Sequence, residues 1–382
     1  MAAPTPVPSR RLEAGDFLAD IEPDDLVYFL VNVGDGDSQL VLLPATSAGQ
    51  RQAMVVDTAT AAKLPALVES LAEVGLLREQ EKPFAVVVAT HPHEDHIGGM
   101  ESFLDRFHAL VDEFWEPGYY HPGPSYLAMM RSLEDHDIRH TQPTSGMTRF
   151  IGQVKVTVLS PSMALRNRFD SYGVDINDAS LGLKLEFPAS RVEQRGSDRR
   201  FLRRARRQSL ILGADAQTQS WAQVMGDFPN LRPDNSPAAE AIGKARGYEP
   251  LSADVFKVPH HGSKHGLNLE LVELIGPRLT FVSSVAQRGK YNFPHAVTQE
   301  AIREALEPTT SSARPHRPDH ELGLFYTADT DDEGKPLGTA ALVMAPNGRK
   351  RRLWRFGDAP GQSVQFAAAR LLSPLDRGSS TW

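Results

Sequence analysis

The feature that most constrains this chain is a histidine-rich stretch at the end of an apolar run. Phe84 to Ala89 is short, apolar and β-branched, the pattern of a buried strand, and it stops directly before Thr90-His91-Pro92-His93-Glu94-Asp95-His96. His91, His93, Asp95 and His96 thus offer four ligand-type side chains from one short loop. Such a loop can aim His91 and His93 at one cation and Asp95 and His96 at a second. Gly98-Gly99 permits a sharp backbone course into a following helix, whose apolar face is marked by Ile97, Met100, Phe103, Leu104 and Phe107.

Four ligands do not complete two metal sites, so further donors are expected at later strand ends. The strand Ser209 to Leu212 runs through Gly213-Ala214 to Asp215, where a carboxylate can bridge two cations. Val255 to Val258 runs into Pro259-His260-His261-Gly262, and one of the two histidines is expected to be a ligand. The sequence contains no cysteine, which excludes thiolate ligands and disulfides and leaves His, Asp and similar donors.

The remaining pattern supplies a scaffold. Asp25 to Phe29 and Ser38 to Leu43 read as strands separated by the turn Gly34-Asp35-Gly36-Asp37. Ala53 to Val56 leads through Asp57-Thr58 to a helix with Leu64, Leu67, Val68, Leu71 and Val74 on one face. Val154 to Leu159, Leu181 to Phe187 and Leu279 to Ser283 are further strands. Ala340 to Met344 and Arg352 to Phe356 form a hairpin about Asn347-Gly348. Strands with chemistry at their C-terminal ends and helices between them predict a layered α/β architecture. Residues 1–22 read as a flexible leader, 23–360 as one domain with insertions near 108–150 and 188–208, and 361–382 as a C-terminal tail. Glu307 to Glu321, rich in Pro, Thr, Ser and His, reads as a loop or linker.

These pieces, in this order, resemble the metallo-β-lactamase superfamily and, within it, the ComEC-like branch of hydrolase domains linked to DNA-uptake competence proteins. Asn32-Val33-Gly34-Asp35-Gly36-Asp37-Ser38 is similar to that branch's VGQGDS opening, with Asp35 in place of Gln. Val55-Val56-Asp57-Thr58 is similar to its second-strand aspartate motif, and Thr90 to Gly99 to its metal signature. Asn177-Asp178-Ala179-Ser180-Leu181, Leu212-Gly213-Ala214-Asp215 and Val258-Pro259-His260-His261-Gly262-Ser263 resemble its next three motifs. Tyr291-Asn292-Phe293-Pro294-His295 resembles NRYGHP with Pro and His exchanged.

The resemblance implies an αββα four-layer sandwich holding two divalent metal ions, zinc above all and manganese in some nuclease members. It implies as ligands His91, His93, Asp95, His96, Asp215 and one of the pair, assigned here to His260. Asp37, Asp57 and Asn177 would orient these ligands from behind. A further histidine of the family, expected between the signature and the Gly-Asp motif, has no counterpart here.

Two such cations can hold a bridging hydroxide and polarise an electrophile, which is hydrolysis. Asp95 counts among the catalytic groups, and His261, His295 or Lys264 would donate a proton to the leaving group. The expected substrate is a nucleic acid or other phosphodiester. Arg191 to Arg207, with eight arginines against one Glu and one Asp, fits that reading, although a solvated loop explains it equally well. A small-molecule esterase or lactonase would use the same metals, and a non-enzymatic metal-stabilised interaction component is the third reading. The net charge of −7 excludes a basic nucleic-acid binder, so any such contact needs a local patch. No apolar run approaches the ~18 residues that cross a bilayer, and the expected location is cytoplasmic, without membrane contact.

Overall fold

The computed structural model describes residues 5–77, 82–168, 175–188, 191–195, 198–202, 208–227, 251–286, 289–307, 316–346, 348 and 351–372. Its strands are β1 (Leu12–Ala14), β2 (Leu26–Leu30), β3 (Ser38–Leu42), β4 (Ala53–Thr58), β5 (Phe84–Val88), β6 (Phe114–Trp115), β7 (His140–Thr141), β8 (Thr148–Ile151), β9 (Val154–Ser160) and β10 (Gly182–Phe187). They continue with β11 (Arg191–Arg195), β12 (Asp198–Leu202), β13 (Gln208–Leu212), β14 (Val255–Lys257), β15 (Leu279–Val282), β16 (Leu324–Tyr326), β17 (Ala340–Met344), β18 (Arg351–Arg355) and β19 (Arg370–Leu372). One sheet runs β1-β19-β18-β17-β2-β3-β4-β5-β6-β7, and a second runs β16-β15-β14-β13-β10-β9-β8.

The apolar strands are apolar on both faces because each sheet is covered on both sides. In β2, Val27 and Phe29 point to a core shared with Leu64, Leu67, Phe103 and Leu104 of the helices α1 (Lys63–Glu73) and α3 (Met100–Phe107). The alternate residues Leu26, Tyr28 and Leu30 point to a second core, shared with Val156, Leu183, Leu210 and Phe281 of the other sheet. A third core lies under the helices Thr218–Asp227, Leu269–Ile275 and Ala296–Leu306, with Phe256 and Ile211 of the second sheet. The layers are therefore helix, sheet, sheet, helix, the αββα sandwich. Each large apolar side chain so buried contributes roughly 1.5–3 kcal/mol.

Three expectations change. Residues 5–22 do not behave as a flexible leader: β1 pairs with β19, and Phe17 is buried edge-on to Phe29, Trp354 and Phe356. Composition hid this, because one aromatic in a Pro/Ala-rich stretch is enough to anchor it. The tail is likewise tied down as far as Leu372, since β19 also pairs with β18. The stretch 108–150 is no surface insertion. β6 and β7 extend the first sheet in parallel beyond β5, and the helix α4 (Pro124–Asp135) packs beside α3, with Met129 and Leu133 in the first core. Two-residue strands carry too little periodicity to be read from sequence.

Between β10 and β13 the arginine-rich segment forms the hairpin β11–β12, while Arg203, Arg204, Arg206 and Arg207 lie outside the described residues. Within Glu307 to Glu321 the described part includes the short helix Asp319–Leu322, and residues 308–315 also lie outside.

β4 and β5 are parallel, as are β13, β14, β15 and β16. Their carboxyl ends open on one edge of the sandwich, the place where α/β folds collect ligand-binding loops.

Candidate metal centre

Three close backbone approaches shape the loop after β5. A Cβ on Gly98 would lie 2.6 Å from the Glu94 carbonyl oxygen and 2.9 Å from that of Ala59, and one on Gly99 would lie 2.3 Å from the Thr60 carbonyl carbon. Only glycine fits either place. Gly36 is held as tightly against the Asp95 carbonyl oxygen, to which Asp37 also donates its N–H at 3.0 Å. His91 and His93 thus precede, and Asp95 and His96 lie on, the single-turn helix α2 (Glu94–Ile97).

Asp215 follows β13 just after Ala214, whose φ is 47°. After β14, His260 and His261 have φ of 49° and 53°, and Gly262 follows at 81°. Two consecutive left-handed non-glycine residues cost energy that a packed site must offset. Here they turn both imidazoles toward Asp215. The sequence reading kept one histidine of this pair for the metals, and the backbone presents both.

The two oxygens of Asp215 divide the histidines. Oδ1 lies 3.1 Å from His96 Nε2 and 3.9 Å from His261 Nε2, and Oδ2 lies 3.7 Å from both His91 Nε2 and His260 Nε2. His93 Nδ1 is 3.1 Å from His91 Nε2, and Asp95 Oδ2 is 3.3 Å from His261 Nε2. His91, His96, Asp215 and His261 are buried. His96 Nε2, His261 Nε2 and Asp215 Oδ1 are buried without a hydrogen-bond partner although they face one another. Polar atoms are seldom left this way in a folded interior. Convergent lone pairs of imidazole and carboxylate are the donor set that divalent cations take. Among the described residues, triads within reach of one ion are His91, His96 and Asp215; Asp95, His96 and His261; and Asp37, Asp57 and His96.

Behind these groups, two carboxylates fix the rings. Asp57 accepts from Thr90 N–H and Thr90 Oγ1, each at 2.7 Å, and pairs with His96 Nδ1 at 2.7 Å. Asp37 accepts from Ser283 Oγ, and Ser283 in turn meets His261 Nδ1 through its carbonyl oxygen at 3.1 Å and its hydroxyl at 3.0 Å. Occupying Nδ1 from behind leaves Nε2 of both rings directed inward. Asp37 is also paired with the ammonium of Lys257, both groups being fully buried.

The electrostatics follow from this crowding. Burial pulls the His91, His93 and His260 imidazoles below their ordinary range. It acts on His96 too, but Asp215 and Asp57 on either side overcome it and hold that ring well above. His261 is also raised against burial, by Asp215, Asp95 and Asp37. Burial disfavours charge on Asp215, yet His96, His260 and His261 keep it well below the usual carboxylate range.

The other expected residues are placed as follows. Asn177 lies in the turn Ile176–Ala179 before β10, and between turn and strand Leu181 N–H donates to the Thr90 carbonyl at 2.9 Å. The Asn177 side-chain oxygen is buried without a partner. His295 receives the Lys264 backbone N–H on Nδ1 at 2.9 Å and packs edge-on to Phe293, so that nitrogen is engaged. Lys264 itself is exposed and enters this arrangement through its backbone. Sequence reasoning missed Lys257, Ser283 and Thr90. A lysine interrupting Val255-Phe256-Lys257-Val258 was the one available signal, since charge inside an apolar strand needs a partner.

Residues 41–159 match the model of the metallo-beta-lactamase superfamily. The αββα layers and the cluster of candidate ligands at the strand ends accord with that match. The chain is similar to ComE operon protein 3 of Bacillus subtilis (strain 168), 23% identical over 311 residues, or 78% of this chain. The chain spans 33% of that relative's length. Among solved structures it is similar to the metallo-beta-lactamase fold protein YhfI from Bacillus subtilis, 11% identical with a TM-score of 0.33, over 68% of this chain and 86% of that one. It is similar also to human tRNase Z, short form, 10% identical with a TM-score of 0.34, over 68% and 92%. No helix among the described residues is long and apolar enough to cross a membrane.

Proposed function

We propose that this chain is a phosphodiesterase acting on nucleic acid, and that its centre holds two divalent cations, zinc or manganese. The observation that carries the reading is the division of histidines by Asp215. His91, His93 and His260 would hold one ion and Asp95, His96 and His261 the other, with Asp215 shared between them. His260 then takes the place of the histidine that the family pattern leaves unmatched. When bound, such a pair supplies Lewis-acid polarisation of a phosphoryl oxygen and an activated water.

The chain's own residues do the rest. Asp57 and Ser283 keep Nδ1 of His96 and His261 engaged, so that Nε2 remains a lone-pair donor. Tight packing of Gly36, Gly98 and Gly99 keeps the loop from yielding. His295, with Nδ1 occupied, retains Nε2 as the group to protonate a leaving alkoxide. The exposed Lys264 and Lys290 supply local positive charge despite the net −7, which favours a phosphate ester over a neutral ester.

The test is elemental analysis of purified protein, with hydrolysis of DNA, RNA and bis-p-nitrophenyl phosphate measured in Zn²⁺ and Mn²⁺. Two ions per chain with metal-dependent diester cleavage is the expected result. Cleavage of carboxylic esters or lactones alone would replace this reading with the esterase one.

A further inference from the structure

An aromatic series leads from the metal-centre histidines to solvent. Phe293 is buried against both imidazoles, its ring centre 5.3 Å from that of His260 and 5.8 Å from that of His261. Tyr291 stacks on Phe293 at 5.6 Å, with the planes 27° apart, and is 56% exposed. The exposed Lys290 lies over the Tyr291 ring, its ammonium 5.0 Å from the ring centre.

The segment carrying these groups is fixed to the centre. His295 N–H donates to the Gly262 carbonyl at 2.9 Å, and a Cβ on Gly262 would lie 2.5 Å from Pro294 Cβ. At the other end, Asp35 accepts the Val285 N–H at 2.9 Å and fills the space a Gly289 side chain would need, so that a Cβ there would lie 2.9 Å from Asp35 Cγ. Asp35 is the residue standing where the family motif carries Gln. Stacked on Phe293, Tyr291 still leaves more than half of its surface in water.

We propose that Tyr291 is a base-stacking platform. It holds the nucleobase of the nucleotide adjoining the phosphodiester at the metal centre, so the substrate is a single-stranded nucleic acid. This rests on the phosphodiesterase reading and narrows it. Phe293 sets the distance from the metals, and Tyr291 offers its outer face to a base. Lys290, whose ammonium lies over the same ring, places a cation beside the platform. On base binding its flexible side chain moves aside, and its ammonium becomes available to a flanking phosphate. A duplex does not fit this use, because its bases are already stacked on both faces. Stacking accepts any base, so the subsite gives preference for single strands without sequence preference.

Two measurements on the full chain test this, with Y291A and Y291F beside the parent. The first is fluorescence-anisotropy binding of a phosphorothioate-linked tetrathymidylate and of its abasic analogue, neither readily hydrolysed. The preference for the base-bearing strand should fall about tenfold in Y291A and stay within about twofold in Y291F, as loss of one stacked base entails. The second is kcat/KM for thymidine 5′-(p-nitrophenyl phosphate) against methyl p-nitrophenyl phosphate, which share a leaving group. The nucleoside preference should fall in Y291A by a similar factor, mainly through KM. Hydrolysis of both esters with the same preference in Y291A as in the parent would overturn the stacking subsite and leave the phosphodiesterase reading intact. Base-dependent loss of binding with neither ester hydrolysed would do the reverse.

Discussion

Replacing Asp57 with Asn isolates the orienting role of a buried carboxylate, since the shape is kept and the charge removed. The carboxylate accepts three hydrogen-bonding groups at 2.7 Å: Thr90 N–H, Thr90 Oγ1 and His96 Nδ1. An amide can accept the Thr90 N–H on its oxygen, but its NH₂ then faces Oδ2's former partners. Thr90 Oγ1 can rotate to accept from it. His96 Nδ1–H cannot, so the ring loses a charge-assisted bond worth roughly 1.5–3 kcal/mol and is free to turn or change tautomer. At about 1.4 kcal/mol per factor of ten, that predicts a loss of roughly 10- to 100-fold in affinity for the metal that His96 would hold in the proposed centre. The assay is competition for Zn²⁺ against a chelator of known affinity, with circular dichroism to establish that the fold persists. Metal affinity within twofold of the parent in a folded variant would refute the argument that Asp57 fixes the His96 ring.

Asp215→Asn should abolish diester hydrolysis while retaining the fold, because the shared carboxylate is lost; full activity with full metal content by elemental analysis would show that Asp215 bridges nothing. Replacing His91 and His93 together with Ala should remove one metal equivalent and turnover with it, and unchanged stoichiometry would defeat the ligand assignment. The buried Asp329, which is not among the proposed ligands, gives a separate pH signature. Burial pushes its carboxyl up to about 6 despite the Arg355 guanidinium at 3.3 Å. Between roughly pH 4 and 6 the native state therefore binds more protons than the unfolded one, so this group's contribution to stability falls as pH rises through that window. Asp329→Asn should flatten that part of the urea-midpoint profile, and a profile identical to the parent's would count against it.

Much of the centre was legible in the sequence because its chemistry lies at strand ends, where local pattern is strongest. An apolar β-branched run followed by His91, His93, Asp95 and His96 marks both the strand and what it presents, and the same logic reached Asp215 and the His260-His261 pair. The layered α/β class followed from the same alternation of strands and helices. Glycine positions such as Gly98-Gly99 were readable too, since the requirement is local and steric.

Tertiary structure alone decided what depends on residues far apart in the chain. That Asp37 meets Lys257 and Ser283, or Asp57 meets His96, is set by which loops the two sheets bring to one edge, and no spacing in the sequence encodes it. Whether one or both of His260 and His261 face Asp215 depends on left-handed backbone at two non-glycine residues, which local propensity argues against and which surrounding packing imposes. Residues 5–22 and the strand Arg370–Leu372 gain their order from each other, from β18 and from other partners distant in the chain such as Phe29 and Thr330, so composition read them as tails. The sequence determined which chemical groups this protein presents; long-range packing decided how they face one another, because orientation is a property of the assembled layers and not of any one segment.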